Sequence, residues 1–132
     1  EAEARDAAEQ VRRYFTVALP LHALDEDESI APRLLGRDPE VDAALRAMTR
    51  DHEEHLHLLD HLATLLGAII DRPASLAARA PDLLAAVTCL EGHFEIHLAR
   101  EESAIFPAIR RLLDEDTRAA LVRELRARRV QK

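Results

Sequence analysis

The chain has 132 residues, of which 48% are apolar, 33% are charged and only 3% are aromatic. This length suits a single domain over residues 1–132, and the composition excludes a disordered chain and favours helices over strands. The formal net charge of −7 excludes a general attraction to a polyanion such as nucleic acid.

Four helices are predicted in chain order, and the fold class they define is all-α, an antiparallel helical bundle. The first helix covers residues 4–35 and contains Pro20. Because a proline inside a helix leaves the carbonyl four residues earlier without its donor, a bend is predicted near Thr16.

A turn with a helix-start signal follows the first helix. Asp38 is predicted to cap the second helix, which covers residues 39–70 and has Pro39 at its first position. The next segment, residues 71–81, holds two prolines and is predicted as a loop. The remaining two helices are predicted over residues 82–112 and 115–129.

The second helix has an unbroken seam typical of a buried bundle face. Its positions follow one another at alternating intervals of four and three residues: Val41, Leu45, Met48, His52, His55, Leu59, Leu62, Leu66 and Ile69. His57 and His61 fall on the outer side of this helix. Histidines in a dry core need compensation, so the seam indicates a polar site inside the bundle.

Counting residues brings the histidines of neighbouring helices to similar levels. His22 lies 13 residues before Leu35, and His52 lies 13 residues after Pro39. By the same count His55 and His97 each lie 15 residues from the connection between their helices. Taken singly, each is explained as a core histidine bonded to a carboxylate, but matched levels favour a shared metal site.

An internal repeat supports this hypothesis. His22 and Glu26 have the same spacing as His97 and Glu101, and each histidine is followed ten residues later by a proline. This spacing places imidazole and carboxylate one turn apart on one helix face. Mixed nitrogen and oxygen donors suit iron, manganese or zinc, and several carboxylates that can bridge favour two ions.

The stretches LHALDEDESIAPRL, MTRDHEEH and HLAREESAIFP resemble the hemerythrin-like HHE cation-binding family, and the resemblance covers most of residues 10–112. It implies a four-helix bundle with two non-haem iron ions, with or without an oxo bridge; manganese and zinc are the alternatives. The ligands that it implies are His22, Glu26, His52, His97 and Glu101.

One feature of the family has no counterpart here. Its members normally have another histidine ligand on an earlier helix, and residues 1–21 contain no histidine. We expect that either a helix before Glu1 supplies this ligand, or that His55, His93 or a second copy of the chain, in a homodimer, completes the site.

The resemblance implies a protein that binds dioxygen, another diatomic or a peroxide, for sensing, carriage or iron handling. Two alternatives stay open: a di-iron enzyme acting on peroxide or nitric oxide, and a metal-free interaction module. The module would use a basic C-terminal segment, which is otherwise predicted to be a solvated face: Arg123, Arg126, Arg128 and Arg129.

No other catalytic pattern stands out, because the sequence has no glycine-rich phosphate loop and no nucleophile paired with a base. The single Cys89 cannot form an internal disulfide, and no uncharged run is long enough to cross a bilayer. We therefore expect a cytosolic protein with no membrane partner.

Overall fold

The computed structural model describes residues 1–130, and the regular secondary structure of this part of the chain is entirely helical. The predicted all-α class is thus confirmed. The helices are α1 over residues 2–34, α2 over Pro39–Asp71, α3 over residues 76–112 and α4 over Glu115–Val130. None of the helices within residues 1–130 combines the length and the apolar character needed to span a membrane.

The start of α3 corrects the sequence prediction. Residues 71–81 were expected to form a loop, but a 3-10 turn occupies Pro73–Ser75 and the helix already begins at Leu76. Pro81 therefore lies inside the helix. The carbonyl that it deprives of a donor belongs to Ala77, which is exposed, so water can bond this carbonyl in place of the missing N–H.

The turn between α1 and α2 is built as predicted. Gly36 has φ of 84°, a conformation that favours glycine, and its N–H donates to Asp42 Oδ1 at 2.9 Å. Asp38 caps α2, because its Oδ1 accepts from the N–H groups of Glu40 at 2.9 Å and Val41 at 3.5 Å.

Three π-helical turns, Tyr14–Ala18, Asp25–Ile30 and Glu101–Ile105, interrupt α1 and α3. Each is followed, after one further residue, by a proline. That intervening residue donates its N–H to the carbonyl five residues earlier, in the pairs Leu19 to Tyr14, Ala31 to Glu26 and Phe106 to Glu101. A proline ring clashes with the carbonyl four residues back in a regular α-helix, and the wider turn relieves this clash.

The π turn in α3 also moves the buried face by one residue. The 4-3 spacing continued from Glu101 predicts Ala104 as the next core position. Instead Ile105 is fully buried, while Ala104 is half-buried. An extra residue in the winding explains this difference.

The described chain forms two compact units, each with its own apolar core. The first unit combines Glu1–Pro20 with Glu53–Phe94, and the second combines Leu21–His52 with the chain from Glu95 onward. The core of the first unit contains Ala8, Leu59, Leu62, Leu66, Ile69 and Leu90. The core of the second contains Ile30, Leu34, Val41, Leu45, Met48, Ile105, Ala108, Leu113 and Leu121. The single domain expected from the chain length stays a prediction.

The basic face of α4, in the second unit, only partly follows the prediction. Arg123 and Arg126 are exposed, as expected for a solvated face. Arg128 and Arg129, however, both form ion pairs with Asp25 of α1. The prediction was wrong for Arg128, whose side chain is 13% exposed, whereas Arg129 is paired and still 45% exposed. A buried carboxylate needs positive partners, and α4 provides two.

Candidate metal centre

In the second unit, the carboxylates of Glu26 and Glu101 and the imidazoles of three histidines form one cluster, with Glu26 at its centre. Oε1 of Glu26 lies 2.7 Å from Nε2 of His22, and its Oε2 lies 3.1 Å from Nε2 of His52. Nε2 of His97 lies 3.5 Å from Glu26 Oε2 and 2.7 Å from Glu101 Oε1. All five ligands implied by the family resemblance are therefore neighbours; their binding of a metal stays a prediction.

The local fold explains how both His–Glu pairs form. In α1 and in α3 the glutamate follows its histidine by one helical turn, so the two side chains lie on one face. Glu26 and Glu101 also belong to the first turn of a π-helical segment. Such segments occur frequently at functional sites.

The donor atoms form two groups that share one residue. Glu26, His52 and His97 make one group, and His22, Glu26 and Glu101 make the other. Within each group one donor atom from every residue lies within 4.8 Å of the others. A carboxylate common to two such groups can bridge two metal ions.

Burial shows that this cluster needs a cation. Glu26 and Glu101 are each only 2% exposed. Both carboxylate oxygens of Glu26 and Oε1 of Glu101 are buried and face imidazole Nε2 atoms, so each needs a proton or a metal ion between itself and that nitrogen. An unsatisfied buried carboxylate is costly, and a bound metal ion would compensate these oxygens. The residues present therefore fit a metal site.

The same contacts shift the pKa values of the cluster. Burial opposes ionisation of Glu26, but its contacts with His22, His52 and His97 hold the pKa of this carboxyl well below its usual range. Burial, reinforced by the neighbouring Glu26, raises the pKa of Glu101. Burial acts against protonation of His97, yet its carboxylate contacts raise the pKa of this imidazole to about 10. Without metal the centre therefore holds protons on its imidazoles, and a metal ion must displace these protons when it binds.

Two aspartates orient the imidazoles from the opposite side. Nδ1 of His52 lies 2.9 Å from Oδ1 of Asp27, and Nδ1 of His97 lies 3.0 Å from Oδ2 of Asp51. An Nδ1–H that donates to a carboxylate leaves the Nε2 lone pair directed at the cluster, as metal-binding histidines require. Arg100 pairs with Asp51 and holds it in place.

Asp51 is a residue that the sequence analysis missed. It directly precedes His52 in the chain, but it contacts His97 of another helix. Spacing within one helix carries no signal for such a pair. An acid beside a seam histidine was the one local hint.

His22 differs from the other two histidines in exposure. Its side chain is 50% exposed, whereas that of His52 is 11% and that of His97 is 4% exposed. His22 was expected to be a core histidine like the other two, and this prediction was wrong for its half-exposed side chain. His22 is therefore the member of the cluster most exposed to solvent, although the Glu26 oxygen that it contacts is buried.

The remaining histidines lie elsewhere. His55 and His93 belong to the first unit, where their ring centroids are 5.9 Å apart and His55 also contacts the ring of Phe94. Neither is in the two donor groups found among residues 1–130. Their role as ligands, and that of a second chain, stay predictions. His57 and His61 are exposed, as predicted.

Comparison with known proteins agrees with this geometry. Residues 1–109 match a family model described as the hemerythrin HHE cation binding domain. The match includes all five residues of the cluster. No curated protein and no solved structure matches the chain.

Proposed function

Because this chain belongs to the hemerythrin HHE cation-binding family, we propose that its buried cluster binds two iron ions. Through these ions, we propose, the protein binds dioxygen or a related small molecule. The observation that carries this proposal is the position of Glu26, whose two buried oxygens face the imidazoles of both donor groups. We further propose the cytosol as its location, because Cys89 has no partner for a disulfide within the chain.

The donor chemistry supports iron. Three imidazoles and two carboxylates form a mixed nitrogen and oxygen set with no thiolate, which suits iron, with manganese or zinc as alternatives. Two ferrous ions, when bound, supply two electrons for dioxygen. The chain itself would hold the ions through Glu26 and Glu101, and it orients His52 and His97 through aspartates.

Metal analysis tests this proposal directly. The purified chain, reconstituted with Fe²⁺ without oxygen and then desalted, is expected to retain two irons per chain. Its optical spectrum should change when dioxygen is admitted. Retention of no iron and no manganese would overturn the proposal, because the cluster would then hold protons in place of metal ions.

The orienting role of Asp51 leads to a separate prediction. Asp51→Asn keeps the shape of the side chain, but its amide no longer enforces the Nδ1–H form of His97. We expect the affinity for Fe²⁺ to fall about tenfold, the effect typical of losing such a partner. Titration of the metal-free variant with Fe²⁺ under argon measures it.

Glu54→Gln is the matched control for this prediction. Glu54 is an exposed carboxylate one turn further along α2, so the variant removes the same charge. We expect it to bind Fe²⁺ as the wild type does. Equal affinities of the two variants would show that Asp51 does not orient a ligand.

A further inference from the structure

A third buried carboxylate, that of Asp25, lies beside the cluster and faces α4. Asp25 directly precedes Glu26 and is 3% exposed. Its Oδ1 accepts from Arg128 at 2.6 Å, and its Oδ2 accepts from Arg129 at 2.6 Å. Hydrogen bonds between charged groups are the strong ones, so Asp25 is held firmly by two cations of α4.

Side chains of α4 also form hydrogen bonds with Ser29, near the end of this π turn, and with Arg33, which follows it. Ser29 Oγ donates to Glu124 Oε1 at 2.7 Å, and Arg33 donates to Glu124 Oε2 at 2.6 Å. Arg128 reaches Ser29 as well, at 2.8 Å. Side chains of α4 therefore bond both the start of Asp25–Ile30 and its far end.

The internal repeat shows a parallel arrangement in α3. The residue before Glu101 is Arg100, and it pairs with Asp51 of α2. In each half of the repeat, the residue before the glutamate of the cluster forms an ion pair with another helix. The signs of charge are reversed between the halves, because α1 supplies an acid and α3 a base. Each of these ion pairs therefore fixes the backbone next to a glutamate of the cluster by a contact that lies outside the cluster.

We propose that α4 is a positioning element of the metal centre: Arg128 and Arg129 hold Asp25 so that Glu26 keeps its carboxylate among the three histidines. This inference rests on the proposed function, since it concerns the same site. It extends beyond the family match, which ends at residue 109, whereas α4 spans Glu115–Val130.

Coupling follows from this arrangement. Asp25 and Glu26 are consecutive buried residues with different partners, so movement of one displaces the other. If docking of α4 favours the metal-binding geometry, metal binding must favour docking of α4 by the same factor. Metal loading and the order of α4 are then linked.

Two double variants provide the test. Arg128→Gln with Arg129→Gln removes both partners of Asp25, and Arg123→Gln with Arg126→Gln removes two exposed charges from the same helix. We expect the first to weaken Fe²⁺ binding about tenfold and the second to stay within about twofold of wild type. Affinity is measured at a temperature at which every variant is folded, so lost stability alone does not lower it.

A milder variant covers the case in which the first double variant fails to fold. Arg129→Gln leaves Asp25 paired with Arg128, and the side chain of Arg129 is 45% exposed. We expect a smaller loss of affinity from it, in the same direction. An affinity equal to that of the double control would overturn the proposal.

Amide hydrogen exchange measures the reciprocal effect. In wild type and in the Arg123/Arg126 control, Fe²⁺ should slow exchange across residues 115–130; in Arg129→Gln this slowing should shrink. Unchanged exchange in wild type, with two irons bound, would overturn the coupling but leave the proposed function standing. A wild type that binds no metal would overturn both.

Discussion

Replacing Glu26 by glutamine is expected to remove both metal ions, whereas replacing Glu101 removes one. Glu26 belongs to both donor groups, and Glu101 belongs to only one of them. Glutamine keeps the size of the side chain but removes the negative charge that a bridging ligand supplies. We expect Glu26→Gln to lower the affinity for both ions by at least about a hundredfold, more than the loss of an orienting partner causes.

Metal content and titration with Fe²⁺ check this result. Glu102→Gln is the matched control, because Glu102 is an exposed carboxylate in the π turn that contains Glu101. The control should retain two irons per chain, and Glu101→Gln should retain about one. Two irons in Glu26→Gln would show that the carboxylate at the centre of the cluster is not a ligand.

Removal of metal is expected to lower the melting temperature by a large amount. The buried oxygens of Glu26 and Glu101 lose their compensating cations, while the unfolded chain has no comparable site. With free Fe²⁺ at a thousand times its dissociation constant, each bound ion contributes about 4 kcal/mol of stability. For a chain of this length that corresponds to roughly 10–20 °C.

Thermal unfolding followed by circular dichroism, with Fe²⁺ under argon or with a chelator, measures the difference. Glu26→Gln serves as the control, and metal should raise its melting temperature much less, because after a hundredfold loss of affinity the same Fe²⁺ is only about ten times its dissociation constant. Coincident wild-type curves would contradict a metal centre and would favour the metal-free interaction module.

The clustering of these side chains could be predicted from the sequence because the main relations among them are local. The repeated spacing of His22 with Glu26, and of His97 with Glu101, reflects the winding of a single helix. The seam of α2 placed His52 on the buried face by the same logic. Counting residues from the turns then brought these helices to a common level.

The seam alone did not separate His52 from His55. Both positions face inward, yet His52 contacts Glu26 while His55 contacts the rings of His93 and Phe94. Periodicity states which face of a helix is buried, but not which side chain lies opposite. Half-exposure of His22 was missed for the same reason.

Contacts between distant segments were beyond sequence reasoning. Asp51 bonds a histidine 46 residues later, and Arg128 bonds an aspartate 103 residues earlier. No spacing rule relates such positions. The positive charge of Arg128 and Arg129 predicted side chains that face solvent. Only the structure shows that both pair with the buried carboxylate of Asp25.

The π turns have one consequence for the direction in which side chains face. In a regular α-helix, residues four apart drift by about 40° around the axis at each step. Glu26, Ile30 and Leu34 are four apart and are nevertheless all buried. The additional residue in each turn cancels that drift, and the proline that follows favours the additional residue. Proline thus keeps the carboxylate of Glu26 on the same face of α1 as the buried apolar side chains of Ile30 and Leu34.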